Sequence, residues 1–433
     1  MPTPSLSRAR RHGAALAVAG LLATATAAAG PATPATAAPA PPRPDCSAAH
    51  RIEQKLDGGT TWRMCWRYDT DSGLVLDKVT YQPKSASAPI RVLTSAKLAQ
   101  IHVPYDDGNA EYDDLTGAGF GWGLQNLKPA ECPGGTLTSV KVPEVGKVNG
   151  LCTTTRARGH AYRMANDEGT KVWQSQGKDL LVYTVNKVAW YEYITEWRFS
   201  SDGTIAANVG ATGSLSPFDY NATDGRGWPI GAGSRAYATS HAHNVFWRLD
   251  FGLDGSVRDR IEQYDSKVTA PGPQGGGPTV KTTRTPVTRE LAGDAKNMRW
   301  WRVVSANGKN KDGHARSYEI VPGPSNTHAG RGFTRHDIYF TQSRACEQFA
   351  SNNILPCGTN APDSVDKWVD GETLTDPAVW VNIGFHHIAR DEDQQPMPVH
   401  WQGFQLAPRD VTAMNPLTPA DLAGQNGAPN QGS

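Results

Sequence analysis

Residues 239–251, TSHAHNVFWRLDF, place His241 and His243 one residue apart at the head of an apolar run. On a β-strand, residues i and i+2 share a face with side chains roughly 6–7 Å apart, so both imidazoles can converge on one ion. A third ligand would come from a distant strand, and VWVNIGFHHIARDED (379–393) carries His386 and His387 at the end of another apolar run. Three neutral imidazoles with open positions suit Cu(II) or Zn(II), and copper binds nitrogen donors most tightly among the divalent first-row metals. Spacing alone leaves the ion open, as well as the choice between His386 and His387. The alternative is a surface-strand histidine pair with no metal.

The elements that would position these side chains read as strands. The chain of 433 residues holds 44 Gly and 31 Pro, a density that disfavours long helices and suits short strands joined by turns. Residues 58–81 predict two strands around an Asp/Ser/Gly turn. Residues 180–199, LLVYTVNKVAWYEYITEWRF, alternate as a half-buried strand pair. Counting every second residue puts Tyr183, Val185, Ala189, Tyr191, Tyr193, Trp197 and Phe199 on the apolar face, with Lys187 and Thr195 as polar intruders. Thr184, Asn186, Val188 and Trp190 then fall on the other face. Residues 269–284 form a Gly/Pro-rich hinge or loop tip. No long linker interrupts residues 58–416, which predicts one large all-β domain followed by a polar tail, 417–433.

The first residues read as targeting rather than structure. Arg8, Arg10 and Arg11 precede an Ala-rich apolar run, and small residues around Ala38 suit a signal peptidase, so residues 1–38 are expected to be a signal peptide and 39–57 a spacer. Without residues 1–38, 40 basic side chains face 42 acidic ones, which gives no electrostatic reason to bind nucleic acid or anionic lipid. Six cysteines in an exported chain favour disulfides, and the simplest pairing joins sequence neighbours: 46–65, 132–152 and 346–357. Absence of any CxxC argues against a zinc ribbon.

With these residues in view, the chain resembles the catalytic domain of the copper amine oxidases, the topaquinone-containing kind. The resemblance runs through GLVLDKVTY (73–81), VPYDD (103–107), WYEYITEWRFSSDGTI (190–205), SHAHNVFWRLDFGLDG (240–255), HDIYFT (336–341), TDPAVWVNIGFHHIARDED (375–393) and PMP (396–398). It implies a large β-sandwich (supersandwich) and a secreted homodimer. The implied activity is oxidation of a primary amine by dioxygen to an aldehyde, with release of hydrogen peroxide and ammonia. Carried over position by position, it makes His241, His243 and His387 copper ligands and Tyr191 the tyrosine converted to topaquinone. Asp114 becomes the catalytic base, with Asp113 as the fallback, Tyr112 the gate and Tyr105 the tyrosine that bonds a quinone oxygen. Asp250 and Asp376, with the carbonyls of Phe251 and Pro377, match a peripheral calcium-type site; oxygen-only ligation suits a hard cation.

Two positions depart from the family's frame around the modified tyrosine: Lys187 stands for Thr, and Trp190 for Asn. Strand alternation is expected to turn Trp190 away from the Tyr191 face. The departures support a second reading, a copper-binding relative whose Tyr191 stays unmodified and which lacks amine oxidase activity or does other copper redox chemistry.

Overall fold

A computed structural model describes residues 46–108, 115–217, 225–231, 236–273, 276–326, 330–351 and 363–422. Among the described residues, strands are the dominant element, and the one α-helix is the single turn Val365–Trp368. An eight-stranded antiparallel sheet faces a ten-stranded one, with a small two-stranded ribbon beside them. The core fills the space between the large sheets. Trp197 of the ten-stranded sheet meets Trp247 of the eight-stranded sheet edge to face at 5.0 Å, and Trp62 packs on Phe199 at 5.1 Å. Such pairs bury large apolar areas in favourable ring geometry. This is the all-β domain that the residues predict, in the form of the large β-sandwich that the resemblance implies.

Strand His241–Phe251 lies in the middle of the eight-stranded sheet, between Ile90–His102 and Pro377–His387. Every one of its residues is buried because both of its faces are covered. Val245, Trp247 and Leu249 belong to the core between the sheets. Phe246, on the opposite face, packs with Phe333, Trp368 and Trp380 in an outer layer. Period-two alternation therefore sends His241 and His243 inward, towards the other sheet, and Arg248 and Asp250 towards the outer layer.

The ten-stranded sheet supplies the facing hairpin, Val172–Val188 and Tyr191–Ser200. Its register pairs Val188 with Tyr191, Asn186 with Tyr193 and Val182 with Trp197 across a two-residue turn, Ala189–Trp190. That turn shifts the parity, and it corrects the single alternation expected for residues 180–199. Even-numbered residues of the first strand share a face with odd-numbered residues of the second. Thr184 and Asn186 point into the core beside Tyr193 and Thr195, and all four are buried. Tyr183 and Val185 instead pack on the opposite face, near the Cys132–Cys152 disulfide. Trp190 is a turn residue rather than a strand residue; its ring is half-buried against the main core.

Cys46–Cys65 and Cys132–Cys152 are bonded as the neighbour pairing predicts. Cys346 is also disulfide-bonded, and its expected partner, Cys357, lies outside the described residues.

Candidate metal centre

Antiparallel pairing of the two histidine strands sets His241 directly opposite His387. His243 follows two residues along the same inward face. One ring nitrogen from each of His241, His243 and His387 lies within 4.8 Å of the others, the only such cluster of metal-binding groups among the described residues. His386 alternates outward, where its Nε2 meets Asp106 Oδ2 at 2.8 Å. The choice that spacing left open thus falls to His387.

Across the gap between the sheets, Tyr191 begins its strand immediately after the turn. Its hydroxyl lies 2.8 Å from Nε2 of His241 and 2.8 Å from Nδ1 of His387. The phenol therefore points at the gap between two imidazoles. Each histidine is held from its far side. Nδ1 of His241 is 3.4 Å from the Thr239 carbonyl, Nδ1 of His243 is 3.3 Å from the Tyr193 hydroxyl, and Nε2 of His387 is 2.9 Å from Asp393. Rings fix the planes: Tyr105 stacks on His241 at 4.6 Å and Phe385 on His243 at 4.5 Å.

Electrostatics suit a metal. Burial, and then the neighbouring His387, push the His241 imidazole down to about 3. Burial, followed by His241, holds His243 well below its ordinary range. Both rings are therefore neutral and keep a lone pair for an ion. Nε2 of His243 is buried with no hydrogen-bond partner. An orphaned acceptor beside two convergent imidazoles is what a nitrogen-ligated metal would satisfy, so the residues fit copper. Tyr191 stays a phenol in the metal-free protein, since burial first, and Tyr193 second, raise its ionisation well above the ordinary value.

A cleft of about 200 Å³ opens onto Tyr191 and His387, lined also by Phe385, Arg390, Met397 and His400. His400 stacks on Phe385 at 3.9 Å, so His243, Phe385 and His400 form a ring stack from the centre to the surface. Asp393, Tyr193, Phe385 and His400 carried no spacing signal of their own as site residues, although all but His400 lay inside quoted motifs.

Asp113, Asp114 and Tyr112 lie outside the described residues. The expected calcium ligands are brought together in the backbone, since Asp250 pairs with Ala378, next to Asp376 and Pro377. They sit at the far end of the strand pair that carries the histidines, and Asp250 lies on its opposite face. Asp250 is already ion-paired with Arg248, and the Phe251 carbonyl accepts the Thr94 hydroxyl at 3.1 Å. Calcium there would compete with a guanidinium.

Known proteins share this arrangement of sheets. The solved copper-containing benzylamine oxidase from Hansenula polymorpha superposes with a TM-score of 0.72 at 21% identity, covering 89% of this chain and 64% of that one. By sequence, primary amine oxidase 2 of Arabidopsis thaliana is 25% identical over 401 residues, 84% of this chain and 59% of the relative. The histamine oxidase of Arthrobacter globiformis is 26% identical over 404 residues, 84% of this chain and 57% of the relative. The chain thus spans about three-fifths of the length of these relatives. The family described as copper amine oxidase, enzyme domain, matches residues 59–423, a span that takes in the three convergent histidines, Tyr191 and both large sheets except the edge strand Arg51–Lys55, and the chain belongs to that family.

Proposed function

We propose that the chain is a secreted, copper-dependent primary amine oxidase, oxidising a small primary amine with dioxygen to an aldehyde and releasing hydrogen peroxide and ammonia. The observation that carries this reading is the Tyr191 hydroxyl, 2.8 Å from ring nitrogens of two of the three convergent histidines. Copper held by His241, His243 and His387 would supply the redox chemistry that converts Tyr191 to topaquinone, and that quinone the electrophilic carbonyl that ordinary side chains lack.

The chain's own residues do the rest. Three neutral imidazoles bind the ion, and Asp393, Thr239 and Tyr193 orient them. Tyr105, Tyr193 and Phe385, all buried, wall the ring of Tyr191 and its histidines from bulk water. A carboxylate must take the α-proton of the bound amine, and we assign that role to Asp114, with Asp113 as the alternative. The N–H of Leu115, the residue after Asp114, donates to the Ile101 carbonyl at 2.9 Å, which anchors the chain beside the Tyr105 segment. Export is supported by the basic, Ala-rich leader and by the observed disulfides. A homodimer and a calcium ion are further expectations of kinship.

A second reading, copper binding with Tyr191 left unmodified, is favoured by Trp190, whose bulky ring packs in the turn just before Tyr191. One experiment separates the two. Copper-free protein is loaded with Cu(II) in air and followed by visible absorbance and by the mass of the peptide spanning residues 188–198. Colour, added mass on Tyr191 and peroxide release from amines support the oxidase. One copper per chain without colour or added mass supports the second reading, and failure to retain copper sinks both.

A further inference from the structure

Stacking fixes the plane of an imidazole and leaves its flip undetermined. Phe385 lies against His243 with centroids 4.5 Å apart and planes 16° from parallel. Rotating the ring by 180° about its Cβ–Cγ bond would preserve that stack. It would also exchange Nδ1 with Cδ2 and Nε2 with Cε1, presenting a carbon where the ligand nitrogen belongs. Something other than the stack must choose the flip. The polar atom at the ring's edge is the hydroxyl of Tyr193, 3.3 Å from Nδ1.

We propose that Tyr193 is a positioning residue that selects the flip and tautomer of His243, so that Nε2 faces the metal. This rests on the reading that the centre holds copper. Tyr193 reaches its place because it sits two residues after Tyr191 on one strand, as His243 sits two residues after His241 on the facing strand. The two tyrosines stack at 5.7 Å with planes 20° apart. They address different sides of the ligand set: Tyr191 touches the inward nitrogens of His241 and His387, and Tyr193 touches the outward nitrogen of His243.

The tautomer follows from the partners. A metal on Nε2, which is buried with no hydrogen-bond partner, takes that lone pair and requires the ring proton to sit on Nδ1. With the proton on Nδ1, that N–H donates to the Tyr193 oxygen and leaves the Nε2 lone pair for the ion. Partners of this kind set which nitrogen binds metal.

Tyr193→Phe keeps the ring and its stacking while deleting the hydroxyl. The expected result is copper affinity weakened about 10- to 100-fold in competition with a chelator. The Cu(II) electron paramagnetic resonance spectrum should broaden as His243 populates both flips, with circular dichroism unchanged. Affinity within about twofold of the parent together with an unchanged spectrum would overturn the proposal. Histidine-selective ¹⁵N NMR of the parent copper-free protein tests it without any variant. An Nδ1–H tautomer at His243 supports the assignment, and an Nε2–H tautomer overturns it. Neither readout uses amine turnover, so an inactive but copper-binding protein would defeat the proposed oxidase while leaving this assignment standing.

Discussion

The carboxylate of Asp393 lies 2.9 Å from Nε2 of His387, across the imidazole from Nδ1, which faces the Tyr191 hydroxyl at 2.8 Å. The same carboxylate accepts the backbone N–H of Arg390 at 3.0 Å. A tight turn after the strand therefore locks the third histidine. Asp393→Ala should weaken copper binding about 10- to 100-fold. Titration with a competing chelator measures it, and an unchanged dissociation constant would remove Asp393 from the ligand scaffold.

His387 itself offers a stricter test. His387→Ala removes one of the three convergent histidines and one of the two partners of the Tyr191 hydroxyl. Copper content after dialysis should fall well below one per chain, and the 188–198 peptide should keep the mass of unmodified tyrosine. Metal analysis and peptide mass read this directly; full copper retention would show that the centre lies elsewhere.

Acid should act through His241. Its folded-state value of about 3 lies below the ordinary 6.5. Below pH 6.5 the unfolded chain therefore takes up a proton that the folded chain refuses, and stability is lost as pH falls from 6.5 towards 3. Asp259 and Glu347, whose carboxyls burial raises to about 7, pull the other way. The test is accordingly a difference. Between pH 7 and pH 5, copper-free parent protein should lose about 2 kcal/mol more than His241→Gln. Denaturant unfolding of both proteins at both pH values gives the number, and identical losses would contradict a buried neutral His241.

The turn before Tyr191 carries strain. Ala189 has φ +50°, a conformation that L-residues other than Asn and Asp adopt at some cost. Ala189→Gly should stabilise the protein by about 0.5–1 kcal/mol, the relief exceeding the added freedom of the unfolded chain. A lower unfolding midpoint for the variant would refute this.

Much of the centre is legible in the sequence, and the reasons are physical. His241 and His243 stand out because a strand's period of two puts them on one face; spacing left His386 and His387 open, and only the family resemblance pointed to His387. The Ala189–Trp190 turn is hidden because it contains no Gly, Asn, Asp or Pro. Residues 180–199 therefore read as one unbroken alternation, and the faces of Thr184 and Asn186 come out reversed. Tyr193, Phe385 and His400 are invisible for a different reason. Their roles depend on which strand of one sheet lies over which strand of the other, and no local pattern encodes that.

The pairing of His241 with His387 gives the ion a role beyond chemistry. Sliding one of those two strands past the other by a single residue would turn its side chains over and part the imidazoles. Copper held by all three rings would therefore reward only the correct alignment, and any misaligned species would forfeit that binding energy. A metal bound there would thus act as a proofreader of strand alignment in the middle of the larger fold.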